Sequence, residues 1–400
     1  MRSTLVMTVS MAALLCVAGG TAALAGKVRE TTTYSFAGGN DGGFPQAGLV
    51  ANAKGRMFGV TTSDGTGHNG VIFEVTNKAE TPLYAFTGGA DGGVPLAGLT
   101  VDAAGNLYGT TNQGGSGYGV VFELSPGKKK SWNYKVLWTF TGGNDGGEPS
   151  GRLTLDANGN LYGTTTEGGT GVVGTVFELS PNGKTWNETV LYNFTGNNDG
   201  GEPMGNVLLG SDGDIYGTTA GYGQGNYGVV FKLTPNNGGW SESVLHAFQG
   251  GNDGEVPRDG LIQDASGTLY GTTAGFDNSY GNVFSLHTDG SNYASIYNIP
   301  SCQSCYTGNG PWATVTMDSS GVLYGTTLAD GENNNGEVFK LTPGQNNQWT
   351  ASVLYAFPGG AGSQYLYSTV LINKGKLYGT SRGTAGQSGF FPGNVWRIKP

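Results

Sequence analysis

The residues best suited to chemistry are aspartates that recur at one place in a glycine-rich loop, which reads G-G-N-D-G-G at residues 142–147. These aspartates are Asp41, Asp91, Asp145, Asp199 and Asp253. Carboxylates gathered around one axis could bind Ca²⁺ or the hydroxyl groups of a sugar. Alternatively, each aspartate accepts hydrogen bonds from its own loop backbone. Identical spacing in five copies favours that turn role, and the D-x-D pattern of common Ca²⁺ loops is missing. We therefore expect no cofactor, with Ca²⁺ as the alternative.

A second set of candidates lies where the copies disagree, at the residue that follows the loop proline or its equivalent. These residues are Gln46, Leu96, Ser150, Met204, Arg258, Trp312 and Tyr367. If the first strand of each copy is innermost, this position lines the mouth of a central channel. Variable side chains on a repeated framework are typical of binding surfaces. The predicted ligand-binding residues are Arg258, Trp312, Tyr367, Gln46, Ser150, Met204, Asp145 and Asp199.

Aromatic side chains are frequent in nearby loops, which follow the second strand of several copies. They are Tyr118, Tyr222, Tyr227, Phe276, Tyr280, Phe390 and Phe391. Exposed aromatic groups beside amides and carboxylates suit stacking on sugar rings. Packing between neighbouring copies is the alternative, and it explains the same residues equally well.

Motifs of hydrolytic enzymes are missing. The three histidines, His68, His246 and His287, fall at unrelated positions of the repeat, and neither H-E-x-x-H nor G-x-S-x-G occurs. No catalytic residue and no metal ligand is therefore predicted. The remaining enzymatic hypothesis is a glycan hydrolase or lyase that uses channel-mouth carboxylates such as Asp145 and Asp199.

The cysteines form one close pair. Cys302 and Cys305 make a C-x-x-C, while Cys16 lies in an apolar leader. A zinc site would need a second pair, and a redox motif would need a βαβ context. We predict a small disulfide that forms after export.

These candidates are positioned by a tandem repeat. The aromatic residue of an L-Y-G-T-T core falls at Phe58, Tyr108, Tyr162, Tyr216, Tyr270, Tyr324 and Tyr378, a spacing of 50 residues followed by five spacings of 54. Each copy reads as four short strands, and no segment shows a sustained helical period. A period near fifty with several strands per copy is typical of a propeller. We predict an all-β, seven-bladed propeller with four-stranded blades.

Local sequence supports this architecture. The first strand of each copy, such as Gly98 to Val101, is apolar on both faces, as an inner strand between two neighbouring blades should be. A glycine three residues before the core aromatic, such as Gly105, is present in all seven copies and indicates a tight hairpin. The last copy stops after its third strand, at residues 394–399, while an extra fourth-type strand precedes the first copy at residues 32–36. Pairing these two segments removes two exposed edges, so we predict that they close the ring.

The first 25 residues predict a secretory signal peptide, with Arg2, an apolar run from Leu5 to Val17, and a small-residue end at Ala25. We expect residues 26–400 to form one secreted propeller domain, extracellular or periplasmic, that acts as a monomer and has no transmembrane segment. Without the leader, 19 basic residues face 29 acidic ones. Nucleic acid and anionic membranes are therefore poor partners.

Three motifs together resemble a known family. The D-x-x-G-N-L-Y-G-T-T core, the V-F-E-L-S-P strand and the F-T-G-G-N-D-G-G-E-P loop are similar to the bacterial "choice-of-anchor" GloVer tandem repeat, over residues 32–400. The resemblance implies an exported, surface-associated, propeller-like repeat protein. Members often end in a hydrophobic sorting tail, and this sequence departs from that pattern by ending on Val395 to Pro400.

The leading hypothesis is a secreted or surface-associated propeller that binds a glycan or cell-wall component through its channel-mouth loops. Two alternatives remain open, namely the glycan hydrolase or lyase and a purely structural surface protein. Two carboxylates about 5 Å or about 6.5–9.5 Å apart, one with a raised pKa, would favour the hydrolase.

Overall fold

The computed structural model describes residues 28–76, 79–275, 280–300, 310–328, 334–345, 348–358, 365–386 and 389–400. They form seven four-stranded antiparallel sheets around a central channel and one additional two-stranded hairpin. The predicted seven-bladed propeller is confirmed. The two 3₁₀ segments, Lys128–Lys130 and Gly251–Asp253, are three residues each. In the described ranges, no helix has the length and apolar character needed to cross a membrane.

The chain begins with β1 (Glu30–Ser35) and then builds the first three blades in sequence order. Blade 1 comprises β2 (Val50–Ala51), β3 (Met57–Thr61), β4 (Val71–Val75) and β5 (Glu80–Ala85). Blade 2 comprises β6 (Thr100–Val101), β7 (Leu107–Thr111), β8 (Val120–Pro126) and β9 (Trp132–Thr139). Blade 3 comprises β10 (Thr154–Leu155), β11 (Leu161–Thr165), β12 (Thr175–Asn182) and β13 (Thr185–Asn193).

The remaining blades follow the same plan. Blade 4 comprises β14 (Leu208–Leu209), β15 (Ile215–Thr219), β16 (Val229–Asn236) and β17 (Gly239–Ala247). Blade 5 comprises β18 (Ile262–Gln263), β19 (Thr268–Thr273), β20 (Asn282–His287) and β21 (Ala294–Asn298). Blade 6 comprises β22 (Thr316–Met317), β23 (Leu323–Thr326), β24 (Glu337–Pro343) and β25 (Trp349–Ala356). Blade 7 comprises β26 (Leu371–Asn373), β27 (Lys376–Ser381), β30 (Asn394–Ile398) and β1, and the hairpin β28 (Thr384–Gly386) and β29 (Gly389–Phe391) projects from it.

The hairpin between the first and second strands is built as the sequence predicts. In blade 2 the Asp102 carboxylate accepts hydrogen bonds from the backbone N–H groups of Gly105 and Asn106, both at 2.8 Å. Gly105 has a φ of 92°, a left-handed conformation that a residue with a Cβ adopts only with strain. Asp156, Asp264 and Asp318 bond their own turns in the same manner. These aspartates therefore hold turns.

The core lies between neighbouring blades and is organised by aromatic pairs. At five of the seven blade interfaces, the phenylalanine that follows the outermost strand of one blade packs edge-on against the third-strand phenylalanine of the next; Phe357 meets Trp396 instead, and blade 5 has Ile299. Phe140 and Phe177, for example, are fully buried with ring centroids 5.2 Å apart. Because each blade depends on its neighbour for this burial, the apolar faces are covered only when the blades stack in order.

Ring closure follows the predicted scheme. β1 pairs antiparallel with β30, from Glu30 opposite Ile398 to Ser35 opposite Asn394. Phe36, which follows β1, packs edge-on against Phe73 of blade 1 at a centroid distance of 5.1 Å. The N-terminal strand therefore supplies blade 7 with the same aromatic contact that the other outermost strands give to their neighbours.

Three glutamates lie on the outermost strands of their blades. Each is close to an aspartate in the loop that connects the preceding blade to its own blade. In each glutamate, Oε1 is buried and has no hydrogen-bond partner among the described residues. Burial, and then the charge of the aspartate, raises the pKa of Glu80 to about 8 and the pKa values of Glu188 and Glu242 to about 7. The three pairs are Glu80 with Asp41, Glu188 with Asp145, and Glu242 with Asp199.

We expect the protein to lose stability as the pH rises from about 5 to about 8. A glutamate whose pKa is raised in the folded state keeps its proton preferentially there. Its stabilising contribution is complete below its ordinary pKa of 4.5 and is lost as the pH passes the raised value. Urea unfolding midpoints at several pH values test this, and the triple variant Glu80→Gln, Glu188→Gln, Glu242→Gln should show a flatter decline.

The matched control is Asp289→Asn at an exposed hairpin tip. Hydrogen bonds from the Ser291 hydroxyl and backbone N–H lower the pKa of Asp289, so this carboxylate stays ionised throughout the tested range. The urea unfolding midpoint of this control should therefore fall with rising pH as that of the wild type does. Parallel declines in the wild type and the triple variant would show that the three glutamates do not titrate as described.

Candidate functional site

The central channel forms a cavity of about 1040 Å³. Its walls come from residues just before the innermost strand of every blade, for example Gln46 to Leu49 of blade 1, and from the innermost strands of blades 2, 3, 5, 6 and 7, for example within Ser150 to Leu155 of blade 3. The sequence-based prediction that the first strand is innermost is therefore confirmed. A cavity of this size suits a ligand of a few sugar rings or a small organic molecule.

All seven variable residues that follow the loop proline, or its equivalent, line this cavity. They are Gln46, Leu96, Ser150, Met204, Arg258, Trp312 and Tyr367. Each side chain is partly exposed. The sequence thus located the mouth of the channel correctly, because the residue that follows the loop proline, or Leu366 in blade 7, reaches the cavity in each blade.

Two kinds of loop surround the mouth on one side of the ring. The loop that enters a blade forms bridges with the loop between the second and third strands of the same blade, as Gly147 does with Glu167 and Gly93 with Gln113. These two loop types therefore emerge on the same side, as predicted. The D-x-x-G-N hairpins lie on the opposite side, because they follow the other end of the first strand.

Arg258, Trp312, Tyr367 and Arg382 form what we call the arginine–aromatic cluster. The Arg258 guanidinium carbon lies 4.0 Å from the centroid of the Trp312 ring. The Trp312 ring meets the Tyr367 ring edge-on at 5.0 Å. The Arg382 guanidinium lies 5.8 Å from Tyr367, on the outer side of the cluster. Cation–π contact at 4.0 Å holds Arg258 in one orientation.

The guanidinium of Arg258 has few polar partners. Its Nε atom is buried without a hydrogen-bond partner among the described residues, and its Nη1 donates to the sulfur of Met204 at 3.7 Å, a weak acceptor. Burial lowers the pKa of Arg258, partly offset by the Tyr367 hydroxyl and by Glu202. Arginine remains charged in proteins, so this site presents a cation whose donors are incompletely used.

The rest of the mouth is less polar and makes weaker contacts. Gln46 donates from Nε2 to the Thr62 hydroxyl at 3.4 Å, and the Ser150 hydroxyl donates to the backbone oxygen of Met204, also at 3.4 Å. Charge and aromatic surface are therefore concentrated on the side formed by blades 5, 6 and 7.

A second level of functional groups lies deeper in the channel, and sequence reasoning missed it. Its main residues are Arg152, Asn206 and Asp259. Arg152 and Asn206 stand where three other copies have glycine and two have threonine, and Asp259 stands where the other copies have a small residue such as Ala47 or Gly151. The same comparison of copies, extended by two positions beyond the mouth, would have found them.

Asp259 is anchored by neighbouring blades. Its carboxylate accepts hydrogen bonds from the backbone N–H groups of Gly260 at 2.8 Å and Thr314 at 2.9 Å, and from the Thr369 hydroxyl at 3.4 Å. Burial raises the pKa of Asp259, while these hydrogen bonds and the charge of Arg152 oppose the shift. This carboxylate therefore fixes the geometry of three blades at the channel wall.

Arg152 faces Asp259 within the channel without a direct salt bridge. Water reaches the Arg152 side chain, but the channel walls surround it and lower its pKa, an effect that Asp259 offsets. Its Nε donates to the Thr100 hydroxyl at 3.4 Å. The two opposite charges balance one another at this level of the channel.

Asp145 and Asp199, predicted as ligand-binding residues, lie outside the cavity lining. Asp199 accepts hydrogen bonds from the Thr195 backbone N–H at 2.8 Å and the Tyr192 hydroxyl at 3.0 Å. Asp145 bonds the Thr141 backbone N–H at 3.0 Å and the Thr141 hydroxyl. The turn alternative is therefore the one that the structure shows. Hydrogen bonds within the loop hold each carboxylate outside the lining, and a part of Asp145 or Asp199 in ligand binding stays a prediction.

Loop aromatics pack mainly within the framework. Tyr118 lies over Gly142 and Gly147, and Tyr222 and Tyr227 lie against the corresponding loop glycines, Gly196 and Gly250. Tyr280 packs against the core between blades 5 and 6. Framework packing, the second of the two interpretations, accounts for Tyr222, Tyr227 and Tyr280, while Tyr118 packs on the loop and also keeps 39% of its surface exposed. Phe276 lies outside the described residues.

The carboxylates that line the cavity are Asp259 and Asp318. Asp318 belongs to a hairpin turn on the opposite side and accepts hydrogen bonds from Ser320, Val322 and Tyr324. A free pair with the spacing of glycosidases is therefore absent from the described lining. The described ranges also contain no group of three or more His, Cys, Asp or Glu side chains placed to hold a metal ion. Cys302 and Cys305 lie outside them, so their disulfide stays a prediction.

Comparison with known families assigns the chain. Residues 22–208 and 203–400 each match the Gloeobacter/Verrucomicrobia repeat. The chain belongs to this family. The two matches together cover most of the sequence, so the predicted resemblance is confirmed. No curated protein matches the sequence.

Solved structures share the fold of this Gloeobacter/Verrucomicrobia repeat protein. A putative 6-phosphogluconolactonase from Bacteroides uniformis is 16% identical with a TM-score of 0.51, over 84% of this chain and 88% of that one. An ancestral GH74 enzyme is 11% identical with a TM-score of 0.57, over 90% of this chain and 48% of that one. The chain thus spans about half the length of the GH74 enzyme. Identities this low show the propeller fold alone.

Proposed function

We propose that the protein is a secreted or surface-associated propeller that binds a glycan or a cell-wall component at the mouth of its channel. The observation that carries the proposal is the mouth ring, whose seven side chains differ from blade to blade while the blades that hold them are nearly identical. A rigid repeated scaffold with one variable, partly exposed ring is the usual arrangement of a binding surface.

The chemistry of the ring supports a sugar ligand. Trp312 and Tyr367 offer aromatic surface for the apolar face of a sugar ring. Gln46, Ser150 and Arg258 offer groups that hydrogen-bond to hydroxyls. The cavity volume of about 1040 Å³ is large enough to hold such a ligand.

A glycan hydrolase or lyase is the second candidate, and Asp259 is the observation that favours it. Its carboxylate lies in the channel with a raised pKa, as a general acid or base requires. Against it, both oxygens of Asp259 are occupied by hydrogen bonds and no second free carboxylate lines the cavity within the described residues. Binding without turnover is therefore the function we propose.

A glycan-array screen followed by calorimetry tests this function. Trp312→Ala, Tyr367→Ala and Arg258→Ala should each weaken binding of the best ligand about tenfold or more, because removal of a central aromatic or arginine anchor typically costs 1–4 kcal/mol. Lys129→Ala and Asn160→Ala, on the opposite side, are the controls and should bind as the wild type does.

The same samples separate the alternatives. Recovery of the ligand unchanged after long incubation agrees with binding, whereas cleaved products would establish the hydrolase or lyase. If the controls lose binding and the mouth variants keep it, the functional side has been assigned wrongly. If no glycan binds, the result favours the hypothesis of a purely structural surface protein.

A further inference from the structure

We propose that the ligand at the channel mouth carries a carboxylate, and that it is a saccharide containing a uronic acid residue. This inference rests on the proposed function and names its substrate class. Arg258 is the recognition residue for the charge, and Trp312 and Tyr367 support the sugar ring beside it.

The first argument is the unmet hydrogen-bonding capacity of Arg258. A guanidinium has five N–H donors, yet Nε is buried without a partner and Nη1 has only the sulfur of Met204. Arg258 takes part in none of the salt bridges seen among the described residues, such as Arg56 with Glu74 and Lys232 with Asp214. Buried donors without partners are costly. Nε is shielded from solvent, so a ligand reaches the guanidinium through its Nη nitrogens, and a carboxylate that bridges these supplies acceptors beyond the weak Met204 sulfur.

The second argument is that Arg258 is already oriented. Its guanidinium is stacked on Trp312 at 4.0 Å, and Trp312 is braced edge-on by Tyr367 at 5.0 Å. An arginine held in this way loses little side-chain entropy when it binds an anion. Trp312 and Tyr367 are partly exposed beside the guanidinium, so the ring of a bound sugar acid can pack against them.

The third argument concerns the number of charges. Deeper in the channel, the positive charge of Arg152 is balanced by Asp259. Among the residues that line the cavity, Arg258 is therefore the arginine without a carboxylate partner; Glu202, whose charge acts on Arg258, and Arg382 lie outside the lining. A monoanion matches this balance, whereas a doubly charged phosphate ester would add a second negative charge near Asp259. A uronic acid residue is a monoanion on a ring that also offers an apolar face.

The experiment compares an acid with its own ester. Trimers of galacturonate, glucuronate and mannuronate, and their methyl esters, are titrated into the mature protein by calorimetry. The ester keeps the ring and the hydroxyl groups but removes the charge. We expect at least one acid trimer to bind about tenfold or more tightly than its ester, because hydrogen bonds to a charged group are about twice as strong as neutral ones.

Variants assign the effect to named residues. Arg258→Gln should reduce the ratio of acid to ester affinity to nearly one while leaving the ester affinity almost unchanged. Arg258→Lys keeps the positive charge but lacks the planar pair of N–H donors of a guanidinium. It should give an intermediate ratio of acid to ester affinity. Trp312→Ala should weaken both forms together. Lys129→Gln removes one positive charge on the opposite side and should leave the ratio unchanged, and thermal melts of all variants confirm folding.

Several outcomes would overturn the inference. Equal binding of the acid and its ester would exclude the inference. So would an unchanged ratio of acid to ester affinity in Arg258→Gln, or tighter binding of a sulfated trimer of a neutral sugar than of any uronic acid trimer. In those cases binding of some saccharide at the mouth still supports the proposed function. Absence of binding by every acidic and neutral saccharide tested would reject both together.

Discussion

A protein that begins at residue 38 should melt far below one that begins at residue 26. The deletion removes β1, and with it the hydrogen-bonding partner of β30 and the buried ring of Phe36. It also removes the Tyr34 hydroxyl and the Ala37 backbone N–H, which donate to Asp41 at 2.8 Å each. Loss of a buried phenylalanine side chain alone costs about 3–5 kcal/mol. The full deletion should cost more, since it also opens a strand edge.

Point variants separate the contributions of individual β1 contacts to the melting temperature. Phe36→Ala removes the contact with Phe73 but keeps the strand, so its melting temperature should fall between those of the wild type and the truncated protein. Thr31→Ala changes an exposed side chain of β1 and should melt as the wild type does. A synthetic peptide of residues 26–37, added in trans, should raise the melting temperature of the truncated protein. If the truncated protein melts like the full one, β1 does not close the ring in solution.

Ring closure was predictable from the sequence because it depends on which strand types are present at the two ends of the repeat. Residues 32–36 matched the fourth strand of five copies, and residues 394–399 matched the third, so each lacked a partner that the other could supply. The core followed for the same reason, since Phe36, Phe140 and their equivalents recur at one repeat position. Repetition of a sequence pattern gives repetition of local structure directly.

The candidate site was only half predictable. The mouth ring emerged because Arg258, Trp312 and Tyr367 occupy a position that varies among copies next to an invariant turn. The contacts across the channel could not be predicted, because Asp259 meets Thr314 and Thr369 only after three blades have curved around the axis. Side-chain direction within a loop was also beyond the sequence, so the hydrogen bonds that keep Asp199 away from the axis were undervalued.

One feature of the repeat, the glycine of the L-Y-G-T-T core, has a cause that only the structure shows. Gly163 pairs across the blade with Phe177, whose ring lies directly on the glycine. A Cβ at Gly163 would lie 2.6 Å from Cζ of Phe177 and 3.0 Å from Cδ2 of Leu153, well inside van der Waals contact. Phe177 is fully buried against Phe140, so its ring has little room to move.

Gly163→Ala should therefore destabilise the protein by about 1–3 kcal/mol or more, the usual cost of overpacking a core. The backbone there does not have a positive φ, so the penalty comes from the contact and not from the conformation. Gly39→Ala is the matched control, because no atom lies within 4 Å of its added Cβ and its φ is also not positive. Urea unfolding measures both variants.

A double-mutant cycle then identifies the cause. Phe177→Leu alone should be destabilising, because it leaves a gap beside Phe140. In the double variant the shorter leucine makes room for the alanine methyl group, so the loss should be smaller than the sum of the two single losses, with a coupling of about 0.5–3 kcal/mol. Additive losses would mean that Gly163 is required for a reason other than the Phe177 ring. Because Gly109 faces Phe122 with the same 2.6 Å separation, Gly109→Ala should repeat the result in the neighbouring blade and show that one contact explains this glycine in both copies.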